Sequence, residues 1–165
     1  MIITLTGFMG SGKTTVGKVL ADFLGCPFMD LDDLVVKKAG KSIPDIFAQD
    51  GEPAFRQLEA RLLRQTVEKY KETTAVLALG GGAVMTPASA SLLHEKTVCI
   101  YLRATLDTLL SRLAGETAGR PLADDAMASR LASREPIYEE TAHVIIDTDG
   151  LSPDEVADEI IISAL

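Results

Sequence analysis

The chain has 165 residues, of which 47% are hydrophobic, and this is enough to form one domain with a sizeable core. Its 24 acidic and 16 basic residues give a net charge of −8, which argues against nonspecific binding to nucleic acids or anionic membranes. No apolar run approaches the roughly 20 residues that span a bilayer, and the N-terminus lacks the basic flank of a signal peptide. We therefore expect a single soluble domain in the cytoplasm, with no nucleic acid or membrane as a partner.

Short apolar segments alternate along the chain with stretches of helical periodicity. Buried strands are predicted at residues 2–5, 75–79, 98–102 and 143–146, with a weaker strand at 26–29. Between strands, the apolar residues of segment 54–69 fall near one face of a helix: Phe55, Leu58, Leu62 and Val67. Ser42 and Ser152 each precede a proline and an acid at the spacing of a capping box, which marks two helix starts. The alternation of strand and helix predicts a parallel α/β sheet.

One segment late in the chain lacks both periodicities. Residues 114–125, AGETAGRPLADD, contain two glycines and a proline and show neither strand nor helix spacing. This composition predicts an exposed loop. Loops of that length in a compact domain are often lids, so we predict a lid here.

The strongest chemical signal is a P-loop at residues 7–14. The sequence GFMGSGKT matches the pattern G-x-x-x-x-G-K-[ST], with a predicted strand before it and a helical pattern after it. Its glycines let successive backbone N–H groups point at phosphate oxygens, and the helix presents its positive N-terminal end. Lys13 is expected to bridge the β- and γ-phosphates, and the Thr14 hydroxyl to bind Mg²⁺. The residues predicted to contact the nucleotide are Gly10, Ser11, Gly12, Lys13, Thr14 and Thr15.

Three aspartates after the second predicted strand bear on the reaction. Asp30 and Asp32 are two apart, so an extended backbone would point both to one side, with Asp33 out of phase. The pair should lie at the carboxyl edge of the sheet, where open α/β folds bind ligands. One carboxylate there can hold waters of the Mg²⁺ shell, and the other can accept a hydrogen bond from an attacking hydroxyl. The alternative is that the aspartates only cap a helix.

Six segments, in order, resemble the shikimate kinase family. They are GFMGSGKTTVGK at 7–18, MDLDDLV at 29–35, DGEPAFRQLE at 50–59, LGGGAV at 79–84, GRPL at 119–122 and SREPIYEETA at 133–142. The resemblance covers nearly the whole chain and implies a P-loop NTPase fold, a three-layer α/β/α domain with a five-stranded parallel sheet. It also implies one domain over 1–165, with a substrate-binding helical segment at about 31–60 and the lid at about 114–125.

The resemblance implies that ATP and Mg²⁺ are used to phosphorylate the 3-hydroxyl of shikimate in aromatic amino-acid biosynthesis, by a monomer. Asp30 then resembles the residue that holds the magnesium shell, and Asp32 the residue that contacts the reacting hydroxyl. The implied shikimate contacts are Arg56, Arg134 and a glycine triplet, Gly80, Gly81 and Gly82. Glu59 is implied to orient Arg56, three residues away on a helix. Arg120 is implied to reach the phosphates from the lid, and Arg112 to stack on adenine.

The chemistry of these residues is consistent. Arginine forks bind a carboxylate through two parallel hydrogen bonds, which suits the single carboxylate of shikimate. Asp32 needs to be only a weak base, because the alcohol loses its proton late in phosphoryl transfer and positioning dominates. A glycine triplet directly after an apolar strand suits close backbone approach to a ligand. We therefore expect Lys13, Asp32 and Arg120 to be the catalytic residues.

Three other interpretations stay open on the residues alone. Another small-molecule kinase or a nucleoside monophosphate kinase would share the core, but gives no reason for Arg56, Arg134 and the glycine triplet to coincide. A GTP-dependent switch usually carries an N-K-x-D segment, and this chain contains no asparagine. A noncatalytic or motor ATPase needs an acid after a strand, and HVIID at 143–147 offers one, on the last strand and with no glutamate after it.

Overall fold

Five parallel strands form one sheet at the centre of the molecule. The computed structural model describes residues 1–116 and 125–165. In chain order the strands are β1 (Ile2–Thr6), β2 (Phe28–Asp30), β3 (Ala75–Ala78), β4 (Val98–Arg103) and β5 (Val144–Asp147). Their spatial order is β2-β3-β1-β4-β5, and every neighbouring pair is parallel. The predicted strands are confirmed, with the weaker second strand starting two residues later than expected.

Helices connect the strands and cover both faces of the sheet. Within the described ranges they are α1 (Lys13–Leu24), α2 (Leu31–Ala39), α3 (Ile43–Asp50), α4 (Glu52–Lys69), α5 (Pro87–Lys96), α6 (Leu106–Glu116), α7 (Asp125–Thr141) and α8 (Pro153–Ala164), with a one-turn 3₁₀ helix at Ala83–Met85. Over the same part of the chain, none of the helices combines the length and the apolar character that crossing a membrane requires.

Alternate residues of β1 to β4 pack into different cores. Ile3 and Leu5 of β1 pack against α1 and α8, whereas Ile2 of β1 and Leu77 of β3 pack on the opposite face with α4, α5 and α7. Strands buried on both faces need apolar side chains at successive positions, which explains the uninterrupted apolar runs in the sequence. The three-layer α/β/α fold is therefore confirmed.

A third, smaller core lies among α2, α3 and α4. Val35, Ile46 and Phe55 are its buried members. The segment predicted to bind substrate, about 31–60, falls on these helices and their connections. The Ser42 hydroxyl caps α3 by accepting the Asp45 N–H, but the reciprocal contact of a capping box forms only at Ser152 of α8.

Two sequence predictions about element boundaries are wrong. Strand β2 ends at Asp30, whose side chain accepts the N–H of Asp32 and starts α2 at once. Asp32 is therefore helical, and the argument from an extended backbone does not apply to it. The segment predicted as a lid, 114–125, is also helical at both ends. Helix α6, in which Leu109 and Leu113 are buried, continues to Glu116, and α7 begins at Asp125. The rest of that segment, 117–124, lies outside the described residues.

Candidate active site

Three segments that follow neighbouring strands meet at one edge of the sheet. The P-loop follows β1, Asp30 ends β2, and the glycine triplet comes soon after β3. Because β2, β3 and β1 are adjacent and parallel, their carboxyl ends lie side by side. This is the edge at which open α/β sheets bind ligands.

The P-loop encloses the side chain of Lys13. The Lys13 ammonium donates hydrogen bonds to the carbonyls of Gly7 (2.7 Å) and Phe8 (3.1 Å). Gly10 and Gly12 take positive φ angles of 82° and 92°, which strain any other residue. Burial lowers the pKa of Lys13 to about 8, against the opposing effect of Asp32 and Asp30. A lysine held in this way is a cation with little solvent around it, facing the loop that would hold phosphates.

A hydroxyl and a carboxylate pair beside the P-loop. The Thr14 hydroxyl donates to Asp30 Oδ2 at 2.9 Å, while Asp30 Oδ1 accepts the Asp32 N–H at 2.9 Å. Asp30 therefore uses one oxygen to cap α2, as the alternative interpretation held. Its other oxygen bonds Thr14 at the start of the P-loop helix. Hydroxyl and carboxylate oxygens are the ligands that Mg²⁺ prefers, and this donor set fits that ion.

Asp32 lies in the first turn of α2 and lines the main cavity of the site. Burial raises the pKa of its carboxyl, and the neighbouring Asp30 adds to the rise, while Lys13 opposes it. A carboxylate with a raised pKa accepts a proton more readily than an exposed aspartate does. Asp33 is exposed.

Arg56 is held by a buried glutamate. Its Nη1 donates to Glu59 Oε1 at 2.8 Å, as the helical spacing predicted, and its Nε lies 3.7 Å from Oε1 of the exposed Glu52. Glu59 is 2% exposed, and its Oε2 has no hydrogen-bond partner among the described residues. Burial raises the pKa of Glu59, and the bond from Arg56 counteracts that rise. The buried Glu59 therefore fixes the orientation of the Arg56 guanidinium.

The glycine triplet packs against these charged groups. A Cβ at Gly80 would lie 2.7 Å from Asp32 Oδ1, and one at Gly82 would collide with the Arg56 guanidinium. A side chain at either position would therefore displace Asp32 or Arg56. This close approach is the reason for glycine at residues 80 and 82.

A cavity of about 570 Å³ connects these groups. Its charged lining comes from Asp32, Glu52, Arg56, Glu59, Arg130 and Arg134, and its apolar lining from Met9, Ile43, Phe47 and Phe55. Arg134 lies over the ring of Phe8 at 5.8 Å and, within the described residues, has no salt-bridge partner. A cavity with an unpaired arginine and several apolar side chains suits a small anionic molecule with a hydrocarbon face.

A second cavity of about 240 Å³ flanks the P-loop on its other side. Arg112 lines it, with Nη1 donating to the Gly10 carbonyl at 3.3 Å and Nη2 donating to the Thr148 carbonyl at 3.1 Å. Arg112 is therefore beside the predicted nucleotide segment. Its stacking on adenine stays a prediction.

The acid that a motor ATPase would need has another partner. Asp147, at the end of β5, accepts hydrogen bonds from Nε (2.6 Å) and Nη2 (3.0 Å) of Arg103. This pairing lowers the pKa of Asp147. Asp147 therefore helps to join β4 to β5, and within the described residues the Thr14 hydroxyl bonds Asp30 instead.

The structure brings most of the predicted residues to one edge of the sheet, and Arg120 lies outside the described residues. Sequence reasoning missed Arg130, Ile43 and Phe47 as lining residues. Helical spacing held a signal for them, since Arg130 precedes Arg134 by four residues and Ile43 precedes Phe47 by four, which puts each pair on one face.

The fold and the cavity together define a class of protein. A phosphate-binding loop and a cation-lined pocket share one edge, and Asp32 both lines the pocket and is electrostatically coupled to Lys13. This is the arrangement of a P-loop kinase that acts on a small molecule.

Comparison with known proteins identifies the family. A family profile described as shikimate kinase matches residues 9–164. The shikimate kinase of Enterococcus faecalis is 44% identical over 164 residues, covering 96% of this chain and 95% of that protein. The crystal structure of shikimate kinase from Aquifex aeolicus superposes with a TM-score of 0.84 at 34% identity, over 99% of this chain and 95% of that chain.

A shikimate kinase from Acinetobacter baumannii, solved in complex with shikimate, superposes with a TM-score of 0.85 at 33% identity, over 97% of this chain and 90% of that chain. The chain therefore belongs to the shikimate kinase family. It is an ATP-dependent kinase whose acceptor is a hydroxyl of shikimate.

Proposed function

We propose that this chain transfers the γ-phosphoryl group of ATP to the 3-hydroxyl of shikimate, with Mg²⁺, through the residues of the cavity described above. One observation carries the assignment: Arg56 and Arg134 line the same cavity as Asp32, at the edge of the sheet that holds the P-loop. Shikimate has one carboxylate and several ring hydroxyls. The two arginines can bind the carboxylate, and Asp32 can accept a hydrogen bond from a hydroxyl. The complex of the Acinetobacter baumannii relative with shikimate supports the same ligand here.

The carboxylate of shikimate is held by Arg56 and Arg134. The guanidinium of Arg56 is oriented by Glu59, so less side-chain freedom is lost on binding. Arg134 has no carboxylate of its own within the described residues, and an incoming carboxylate supplies one. The glycine triplet lets the ring approach the backbone between them.

Asp32 orients the reacting hydroxyl and accepts its proton. Its raised pKa makes it a somewhat better base than an exposed aspartate, and a modest base is sufficient when proton loss is late. Lys13 holds the β- and γ-phosphates at the nucleotide end of the site. The charges of Lys13 and Asp32 attract each other, so the two ends of the site interact electrostatically.

Thr14 and Asp30 are the groups that would hold Mg²⁺, Thr14 directly and Asp30 through water. When bound, Mg²⁺ supplies positive charge to the β- and γ-phosphate oxygens. The remaining nucleotide contacts belong to the P-loop and to Arg112. Arg120, outside the described residues, is proposed to reach the phosphates from the lid.

We also propose that the protein works in the cytoplasm as a monomer of one domain, with a helical segment at about 31–60 and a lid around Arg120. Light scattering of the purified protein, alone and with ATP, tests the monomer. A mass twice that of the chain would reject it.

The test of the reaction is a substrate panel with purified protein, ATP and Mg²⁺. ADP release is measured with shikimate, AMP, gluconate and a shikimate analogue that lacks the 3-hydroxyl, and phosphorus NMR locates the phosphate on the product. We expect ADP release with shikimate and with none of the other three compounds. Turnover of the 3-deoxy analogue would move the reaction to another hydroxyl, and turnover of AMP without shikimate would reject the function.

A further inference from the structure

Two buried tyrosines pack against each other near the glycine triplet, and within the described residues one of them bonds to it. Tyr101 of β4 and Tyr138 of α7 are both buried, with ring centroids 4.9 Å apart. The Tyr138 hydroxyl donates a hydrogen bond to the carbonyl of Gly81. Across the described residues, no hydrogen bond joins the Tyr101 hydroxyl to this segment.

With the bond from Tyr138, all three carbonyls of the glycine triplet accept a hydrogen bond. The Gly80 carbonyl accepts the Ala83 N–H at 3.2 Å, and the Gly82 carbonyl accepts the Met85 N–H at 3.0 Å. Among the described residues, the Gly81 carbonyl is the one of the three that a side chain holds. Consecutive glycines have more accessible backbone conformations than any other residues, so a single anchor at the centre removes much of that freedom.

The anchored segment lies against the charged groups around the cavity. Gly80 lies against Asp32, Gly82 lies against the Arg56 guanidinium, and the position of a Cβ at Gly81 is 3.4 Å from Arg134 Nη1. A shift of the backbone at residue 81 would therefore change the space available to all three side chains.

Helix α7 supplies both the anchor and one of the cations. Arg134 and Tyr138 are four residues apart on α7, so they lie on one face. Burial raises the pKa of Tyr138 to about 12, against the opposing effect of the nearby Arg134 guanidinium. The hydroxyl therefore keeps its proton and remains a donor at physiological pH.

We propose that Tyr138 is a positioning residue for the acceptor pocket: its hydroxyl fixes the glycine triplet, and the triplet in turn holds Asp32, Arg56 and Arg134 at the separations that shikimate requires. The proposal rests on the function proposed above. Tyr138 acts through Gly81 and has no assigned contact with either substrate.

The test compares Tyr138→Phe with Tyr101→Phe in the full chain. Each substitution removes one hydroxyl from a buried ring that packs against the other tyrosine, and it keeps the ring itself. For Tyr138→Phe we expect the KM and Kd of shikimate to rise by about fivefold, the effect of losing one hydrogen bond. The Kd of ATP and ATP hydrolysis without shikimate should stay at the wild-type level. Tyr101→Phe should match wild type in all four measurements.

Amide hydrogen exchange gives a direct readout of the anchor. The N–H groups of Ala83 and Met85 should exchange faster in Tyr138→Phe than in Tyr101→Phe, because they bond the carbonyls on either side of Gly81. Wild-type shikimate affinity in Tyr138→Phe would overturn the proposal. Equal losses of ATP and shikimate affinity, together with a lower melting temperature, would reduce Tyr138 to a core residue and also overturn it.

The outcome is separable from that of the proposed function. If wild type does not phosphorylate shikimate, the proposed function fails, whatever the two variants do. If wild type does so and the two variants behave alike, only the role of Tyr138 fails.

Discussion

The nucleotide end and the acceptor end of this site are built in different ways. The P-loop is one continuous segment, residues 7–14, whose shape depends on glycines with positive φ and whose lysine bonds carbonyls of the same segment. The acceptor cavity takes Asp32 from α2, Arg56 from α4 and Arg134 from α7. A phosphate site can thus be encoded locally, whereas the acceptor site exists only after the sheet has brought distant helices together. Substitutions at one end should leave ligand affinity at the other end largely intact.

The largest expected effect is the loss of turnover in Asp32→Asn. The substitution keeps the shape of the side chain and removes the charge that orients the hydroxyl and accepts its proton, so we expect turnover to fall by about 10²- to 10⁴-fold. Calorimetry should show nearly unchanged ATP affinity. Asp33→Asn is the matched control, because Asp33 is in the same helical turn and exposed, and it should retain wild-type turnover. A loss of ATP affinity as large as the loss of turnover would mean that the two ends are not separable.

Arg56→Ala should have the next largest effect, which is a loss of affinity for shikimate. Removing one partner of a buried charge pair typically costs about 2–5 kcal/mol, which corresponds to a rise of about 30-fold or more in the Kd of shikimate. Arg61→Ala, at an exposed position on the same helix, should bind shikimate as wild type does. Calorimetry with both ligands measures this effect.

A second variant separates geometry from charge at residue 56. Arg56→Ala leaves Glu59 buried without its partner, so thermal unfolding must be followed in parallel. Arg56→Lys keeps a cation but lacks the planar fork, and its shikimate affinity should lie between those of wild type and Arg56→Ala. Equal affinity in wild type and Arg56→Lys would show that charge alone is sufficient.

The same division explains what the sequence could predict. The strands and the P-loop could be predicted because apolar runs and the G-x-x-x-x-G-K-T pattern are local signals, and the pairing of Arg56 with Glu59 followed from helical spacing. The position of Asp32 was derived incorrectly, because the side chain of Asp30 caps α2 and turns the chain one residue after the strand ends.

Cavity lining was harder still to predict. Arg130 and Phe47 line the same cavity as Asp32 because α7 and α3 both border it, although these helices are far apart in the sequence. The bond from Tyr138 to Gly81 is of the same kind, since it joins residues 57 positions apart. Motif reading therefore predicts the nucleotide end of such a site better than the acceptor end.

A pH series tests the nucleotide end. Burial lowers the pKa of Lys13 to about 8, so its ammonium is charged below that pH and loses its proton as the pH rises through it. If the charged form binds the phosphates, ATP affinity should fall by up to about tenfold per pH unit above that point. Shikimate affinity should change little over the same range. Lys13→Arg stays charged and should show no such decline, and a decline of equal slope in that variant would assign the effect to another group.

The smallest expected effect is at Glu59, where two carboxylates on one arginine can be compared. Glu59 and Glu52 both approach Arg56, but Glu59 is 2% exposed at 2.8 Å and Glu52 is 64% exposed at 3.7 Å. An exposed ion pair at that distance contributes little, whereas the buried bond fixes the guanidinium. We therefore expect Glu59→Gln to raise the Kd of shikimate by about fivefold and Glu52→Gln to leave it within about twofold. Equal effects would show that Arg56 needs only nearby negative charge.

The pH dependence of shikimate binding distinguishes Glu59 from the other raised carboxyl, Asp32. Burial raises the pKa of Glu59, so on acidification it takes up a proton earlier than an exposed glutamate does and then ceases to be a charged partner for Arg56. Wild-type affinity for shikimate should accordingly weaken as the pH falls through that range. Glu59→Gln should lack this component, since glutamine does not titrate, while Asp32→Asn should retain it. If Asp32→Asn removes the dependence and Glu59→Gln keeps it, the proton is taken up by Asp32, and Glu59 orients Arg56 without a pH-sensitive charge.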